Sequence, residues 1–433
     1  MRIAHVIHEF LPEAAAGSSL HLRDLALAQR ERGHEPLVFV RAAGSGRAPF
    51  SIEEGLVDGL RVARMAYDFH DLRSFERLFV SPRMDASFRA WLERERVELL
   101  HFHHLTCLAS SLLSVPKRLG LPLVMTLHDY WTQCPRGDRF HPHSAEICEE
   151  LDRERCVDCL QELWPHVLPG KGLFGLLPKR LGARQRTRRK LAWWEKYMRS
   201  QLRLCDAWIA PSRFVLDRFV DWGLDPKRGH AIAHGLRSKE LRAKARGKAP
   251  IRRLGFIGRM VPSKGLQQLL IAHAALAGQG IQLQVHGEGD TRDPQIRELY
   301  AELQRRPGVE LRGRFESAQL PEILRGLDCL VVPSIWWEPF GLVAREAALA
   351  GIPVVVSNLG GLSEAVQKGL ALGYSPFDPG ALAQVLQRLL DDAELREQMS
   401  RKGPLVRDVA EMAADTDRVY ELVLAGELSP TAR

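Results

Sequence analysis

Short apolar runs alternate with longer stretches of helical period along almost the whole chain. The first half contains the strand-like runs "RIAHVIH", "EPLVFV", "LRVARM", "ELLHFH" and "LPLVMTLH", closed by "DAWIAPS" and "GHAIAHG". Between the first two, Gly17 to Arg32 carries the period of an amphipathic helix that stops at Gly33, and further helices are predicted at Asp85–Arg96 and Thr106–Leu119. The pattern then restarts with "RRLGFIG", "IQLQVHG", "VELRG", "CLVVPS" and "IPVVV". Helices are predicted near Gly265–Ala277, Pro294–Arg305, Pro321–Leu327, Gly341–Ala350 and Pro379–Leu390, with one more from about Pro404 to Leu424. Strands alternating with helices predict an α/β fold of parallel sheets flanked by helices. The expectation is two tandem, Rossmann-like, doubly wound domains facing each other across a cleft that takes one ligand from each side. The predicted boundaries are residues 1–237, a basic linker "SKELRAKARGKAP" at 238–250, a second domain at 251–403, and a C-terminal helix in 404–433 that packs back on the first domain.

The length of 433 residues supports this division, because one core rarely serves so long a chain. Apolar residues at 45% and charged residues at 26% exclude a disordered chain. The opening "MRIAHVIHEF" lacks the basic start and apolar run of a signal peptide, and no run of 18 uncharged apolar residues is found. The expected location is therefore the cytoplasm. The formal charge of +8 suits an anionic substrate, membrane surface or nucleic acid, and much of it lies between Lys179 and Arg203.

The chemistry concentrates in "PSIWWEPFGLVAREAALAGIPVVV", from Pro333 to Val356. Two glutamates, Glu338 and Glu346, interrupt an otherwise apolar strand–turn–helix–strand. The first N–H groups of the helix have no partner inside it, and Gly341 has no side chain to block them, so a diphosphate fits there. Glu346 follows Gly341 by about 7.5 Å at ~1.5 Å per residue, within reach of a ribose on that diphosphate. Glu338 precedes the helix and can accept hydrogen bonds from sugar hydroxyls. One carboxylate on each side of a diphosphate is a layout for a nucleotide sugar. Two solvated glutamates would be the plainer reading, but Trp336, Trp337, Phe340 and Leu342 surround them.

Other segments add to this layout. In "GFIGRMVPSKG", Arg259 and Lys264 follow a strand that ends in Gly258, where two cations can neutralise a departing diphosphate. Gly17 and Ser18 open the first helix. His128 and Asp129, in "TLHDYWTQCP", stand at the carboxyl end of an apolar strand, and His101, His103 and His104 end an earlier one.

Together these motifs resemble the retaining glycosyltransferases of family 4, with the GT-B fold, and the resemblance covers nearly the whole chain. Its most specific part is "PSIWWEPFGLVAREAALAGIPVV" followed by "GGLSEAV", with "RGHE" and "VHGEGD" fitting as well. The resemblance implies catalytic roles for Glu338, His128, Arg259 and Lys264. It implies donor contacts from Gly17, Arg259, Lys264, Glu338, Phe340, Gly341, Leu342, Val343 and Glu346. The first motif glutamate would meet the donor sugar and the second the ribose. The implied reaction moves a sugar from a nucleoside-diphosphate sugar to a glycan or lipid-linked acceptor, with retention and without a catalytic metal. The expected setting is the biosynthesis of bacterial surface polysaccharide, such as lipopolysaccharide, O-antigen or exopolysaccharide. A retaining glycosidase would use a nucleophile and an acid a few Å apart, and no clear nucleophile is seen; in the family, the leaving phosphate helps deprotonate the acceptor on the front side. The chain departs from the family pattern in three places: one glycine in "AAAGSS" where two are common, His234-Gly235 where Asn-Gly is common, and Arg345 where a small or apolar residue is common.

Two features of an insertion at about 130–204 lie outside this reading. Cys134, Cys148, Cys156 and Cys159 fall within 26 residues, near His141 and His143, and could hold a structural zinc or remain reduced thiols. The basic segment from Lys179 to Arg203 also carries Trp193, Trp194, Tyr197 and Met198. It suits either an anionic membrane, at the inner face of the cytoplasmic membrane, or a buried helix with a solvated basic face. Rival functions are a nucleotide-sugar epimerase on the same fold, for which His128 alone is thin support, and a nucleic-acid-binding protein, which leaves two α/β domains unexplained. No nucleic-acid partner is expected.

Overall fold

The computed structural model describes residues 1–164, 167–168, 177–237, 241–243 and 245–428, with backbone alone for 177–181. Residues 238–240 and 244 of the expected linker, and 165–166 and 169–176 of the expected insertion, lie outside these. The chain divides into two compact units. The first holds Met1–His141, Cys148–Ala233 and the C-terminal helix from Ala410; the second holds His234–Val409 and the short segment Pro142–Ile147.

The first unit is built on an eight-stranded sheet. Its strands are β1 (Arg2–Ile7), β2 (Glu35–Ala42), β3 (Ile52–Val57), β4 (Leu60–Ala66), β5 (Leu99–His104), β6 (Leu123–Thr126), β7 (Ala207–Ala210) and β8 (Gly229–Ala231). The order is β8-β7-β6-β5-β1-β2-β4-β3, parallel throughout except for the antiparallel edge pair β3–β4. Strand β3, "IEEGLV", was not predicted, because it is exposed along both faces and shows no apolar alternation. The predicted helix Thr106–Leu119 is instead a 3-10 turn, Ser110–Leu113, leading into the short helix Ser114–Arg118. The helix expected to begin at Asp85 begins at Pro82, where Ser81 accepts a hydrogen bond from the Met84 N–H and proline fits the first turn.

The second unit carries a six-stranded, wholly parallel sheet: β9 (Arg253–Ile257), β10 (Gln282–His286), β11 (Val309–Gly313), β12 (Cys329–Val332), β13 (Val354–Ser357) and β14 (Leu372–Tyr374). The order is β11-β10-β9-β12-β13-β14. Both faces are covered, as the alternation of side chains along a strand requires. Val331 and Val355 pack with Leu266, Leu270 and Leu386 on one face. Leu330, Val332, Val354 and Val356 pack with Ala344, Ala347 and Leu362 on the other. Strand β14 and the helices Leu362–Gln367 and Ala393–Ser400 are additions to the predicted elements. The predicted terminal helix begins at Val409, not near Pro404, because residues just before it run extended and the Arg407 carbonyl accepts the Leu236 N–H.

Strand order places the chemistry. In the second unit the chain winds outward from β9 through β10 and β11, then returns to β12 on the other side. The loops after β9 and β12 therefore flank the switch point, where the carboxyl ends of a doubly wound sheet leave a crevice. In the first unit the same relation holds for the loops after β1 and β5.

Candidate functional site

The loop after β9 runs Gly258–Gly265 and delivers Arg259 and Lys264; the loop after β12 delivers Glu338. They meet closely. Gly265 has φ +67°, and a Cβ there would lie 1.9 Å from the Pro333 carbonyl oxygen, so only glycine lets the two loops touch. The contact puts the Lys264 Nζ 2.9 and 2.8 Å from Glu338 Oε1 and Oε2. Ser334 Oγ and Trp336 Nε1 also donate to Oε2, at 3.0 and 2.7 Å. Burial alone would raise the Glu338 carboxyl. The Lys264 ammonium and the bonds from Lys264, Ser334 and Trp336 outweigh that and hold it below its ordinary value. The carboxylate is thus charged and fixed. Arg259, by contrast, is exposed in the same loop as Lys264.

Helix Leu342–Leu349 starts one residue later than predicted, because Gly341 takes a left-handed φ of +78° as its N-cap. No side chain caps this end. Phe340 and Gly341 are buried, Leu342 and Val343 half-buried, and Glu346 lies half-buried one turn into the helix. Behind the turn, the buried Arg345 donates to the carbonyls of Phe340 and Gly341, and its guanidinium lies 3.6 Å from the Phe340 ring centre. The unusual arginine is therefore a buried clamp on the turn. Burial lowers its pKa to about 10. His234 packs edge-on against Phe340, with ring centres 5.1 Å apart. The two glycines of "GGLSEAV" press on the same turn: the Gly361 N–H donates to the Glu338 carbonyl at 2.6 Å, and a Cβ on Gly360 would lie 2.8 Å from the Glu338 backbone.

The remaining predicted residues, Gly17 and His128, belong to the first unit. Gly17 is the exposed first residue of helix Gly17–Glu31. His128 follows β6 and ends a chain of buried histidines that sequence reading only partly found. His103 Nδ1 lies 3.1 Å from His128 Nε2, His5 Nδ1 lies 3.1 Å from His103 Nε2, and His5 Nε2 lies 2.9 Å from Gln29 Oε1. The Gln29 amide donates to Asp417, which also pairs with Arg32.

This anchor sets the direction of every bond. A carboxylate only accepts, so Gln29 turns its oxygen to His5; His5 then carries its proton on Nε2, as do His103 and His128 in turn. Burial drives the pKa of His5 down to about 4 and those of His21, His101 and His103 well below the ordinary value, so these rings are neutral. The overlooked signal was register: His101 and His103 are two apart on β5, and His5 pairs with His101 across the sheet. Nearby, His104 Nε2 donates to Asp129 at 3.0 Å.

The four insertion cysteines also lie in the first unit and line one small cavity. The basic segment is part of the helix Leu177–Leu202. Leu191, Trp194 and Met198 are buried at helical spacing, with Trp194 against Phe79. Arg184 and Lys190 pair with Asp158 and Glu76. Trp194 and Met198 are therefore core, while Trp193 and Tyr197 are half-buried; Arg186, Arg189 and Lys196 remain exposed. Among the described residues, no helix is long and apolar enough to cross a membrane.

Comparison with known proteins accounts for both units. The family model described as Glycosyltransferase Family 4 matches residues 15–239, more than half of the chain. The chain belongs to glycosyltransferase family 4. The model described as Glycosyl transferases group 1 matches residues 238–406 of the same transferase. A glycosyltransferase of Methanocaldococcus jannaschii is 33% identical over 177 residues, spanning 39% of this transferase and 44% of the relative. Glycogen synthase of Mycobacterium tuberculosis is 25% identical over 100% of this chain and 97% of its own length. The structure of Anabaena HepE in complex with UDP-glucose superposes with a TM-score of 0.64 at 17% identity, covering 98% of this transferase and 100% of that chain. The fold is GT-B, as the sequence resemblance implied.

Proposed function

We propose that this transferase moves a sugar, with retention, from a nucleoside-diphosphate sugar to a glycan or lipid-linked acceptor in the assembly of a surface polysaccharide. The observation that carries the donor reading is the Lys264–Glu338 pair beside the uncapped N-terminus of helix Leu342–Leu349. Cation and helix N-terminus suit a diphosphate, and a fixed carboxylate suits sugar hydroxyls. In this reading Lys264, Arg259 and the N–H groups at Gly341, Leu342 and Val343 take up charge as the anomeric carbon–oxygen bond breaks, so no metal is required. Phe340 shapes the turn beneath, and Glu346 accepts from the ribose. Gly17 would leave room for the diphosphate and His128 would meet the sugar. The acceptor oxygen bonds to the same face of the anomeric carbon, and its proton passes to the departing phosphate. A UDP-glucose complex of a protein of the same fold supports the donor class.

The proposal also puts the enzyme in the cytoplasm, with Arg186, Arg189 and Lys196 rather than the buried Trp194 and Met198 meeting anionic lipid. The deciding experiment screens UDP-, GDP- and ADP-sugars for release of the nucleoside diphosphate, followed by NMR of the product's anomeric centre. A product of inverted configuration overturns retention, and no thermal stabilisation by UDP, GDP or ADP overturns the donor site. Flotation with anionic vesicles tests the membrane contact; absence of salt-sensitive binding sinks it.

A further inference from the structure

The four insertion cysteines are 14, 8 and 3 residues apart, yet the fold brings them round a single cavity. Cys134, Cys148, Cys156 and Cys159 all line a space of about 30 Å³, room for little more than one water-sized occupant. Cys134 opens a tight loop in which its own N–H bonds the Tyr130 carbonyl and its carbonyl accepts from the Gly137 N–H. Gly137 makes this bend with φ +89°. Cys148 is tied to Arg139 twice, through its N–H and its carbonyl. Cys156 and Cys159 are one turn apart on helix Arg153–Leu163, which Asp152 caps, so their side chains leave the same face.

The electrostatics of the pocket favour thiolates bound to a cation. Three backbone N–H groups, of Arg136, Gly137 and Arg139, point at the Cys134 sulfur. The Arg139 and Arg155 charges face Cys148, and that of Arg136 faces Cys159. A divalent ion held by four thiolates leaves two negative charges in excess, and these donors and cations surround them.

We propose that Cys134, Cys148, Cys156 and Cys159 bind one zinc ion. All seven cysteines of the chain are free thiols in the structure. Among the described residues, the groups with three ligand atoms within 4.8 Å of one another are the histidine sets, so closing on zinc draws the four sulfurs inward. The ion has no open position for a reactant, as befits a structural site. It ties the loop Tyr130–Gly137, which directly follows His128 and Asp129, to the helix Arg153–Leu163. Its work is to fix where the sheet-end histidine and aspartate stand.

The test is metal analysis of the full-length protein purified without added metal. About one zinc per chain is expected, retained in Cys107→Ser and lost in Cys156→Ser and Cys159→Ser. Less than about a tenth of a zinc in the wild type, or these four cysteines found as disulfides, overturns the proposal. Because the serine variants can fail to fold, a second measurement uses wild type stripped by chelator and titrated with cobalt(II). Thiolate-to-cobalt charge-transfer absorbance saturating at about one ion per chain is expected, and its absence overturns the site.

Discussion

Lys264 and Glu338 form a two-pronged ion pair, 2.8 and 2.9 Å, between two loops that the strand order brings to one switch point. The Glu338 side chain is only 13% exposed, so its charge relies on partners and not on water. Removing the cation alone leaves a buried charge with two neutral donors. Lys264→Met is expected to lower stability by about 3 kcal/mol, and adding Glu338→Gln should restore much of that. Urea unfolding of the two variants checks this; equal stability of single and double variants would contradict it. The pair also has a pH signature. Glu338 titrates below its ordinary 4.5 when folded, so its contribution is complete above that value and fades as pH falls through the folded pKa. Glu338→Gln should flatten this acid limb.

The histidine chain makes a separate prediction at higher pH. His5 titrates near 4 in the folded state, against 6.5 ordinarily, and burial holds His21, His101 and His103 well below the ordinary value. A depressed histidine makes the unfolded chain take up protons first. Stability should therefore fall as pH drops from about 6.5 to 4, by up to about 1.4 kcal/mol per pH unit for each such ring. His101→Gln, which cannot titrate, should reduce the slope over that window whatever it does to stability at neutral pH. An unchanged slope, measured by denaturant unfolding at several pH values, would show that these rings do not titrate as their burial requires. Nitrogen-15 NMR of labelled histidine supplies the companion test: His128 should be protonated on Nε2, and Gln29→Leu should abolish that preference.

Much of the architecture was legible because buried parallel strands advertise themselves. "CLVVPS" and "IPVVV" are apolar on both faces and cannot be mistaken for surface. Strand β3 was not legible, since an exposed edge strand carries no burial pattern. The carboxylate Glu338 stood out as a charge among aromatics. Its partner Ser334 and the indole of Trp336 were hidden in the same motif at spacings of four and two, where a hydrogen bond depends on the loop's path and not on residue type. The histidine chain runs from Asp417 to His128 across five separated segments, and Gln29 and Asp417 are ordinary polar residues until the sheet register aligns them. Arg345 read as a departure because a buried guanidinium has no sequence signature apart from what it clamps.

Gly361 offers a way to move Glu338 without touching its side chain. A Cβ at this position would lie 2.2 Å from the Pro339 carbonyl oxygen, and backbone cannot yield as a flexible side chain would. Gly361→Ala should shift the Glu338–Pro339 segment at a stability loss of about 1–3 kcal/mol. Donor KM should rise while the protein stays folded by circular dichroism. Wild-type kinetics in this variant would mean that the turn's position is unimportant to the donor.

Glu346 is the sharpest test of the ligand layout, because its proposed role is in binding and not in the fold. It lies half-buried on a helix whose packing face is formed by Ala344, Ala347 and Ala348, so truncation leaves the core intact. A hydrogen bond from a ribose hydroxyl to a charged acceptor is worth about 1.5–3 kcal/mol. Glu346→Ala should therefore weaken nucleoside-diphosphate binding on the order of 10- to 100-fold, with little change in melting temperature without ligand. Glu346→Gln, which keeps an acceptor oxygen but loses the charge, should fall between the two. Isothermal titration with the nucleoside diphosphate alone reads this without the acceptor. If Glu346→Ala binds as tightly as wild type, the ribose does not lie along this helix and the orientation of the donor must be reversed or moved.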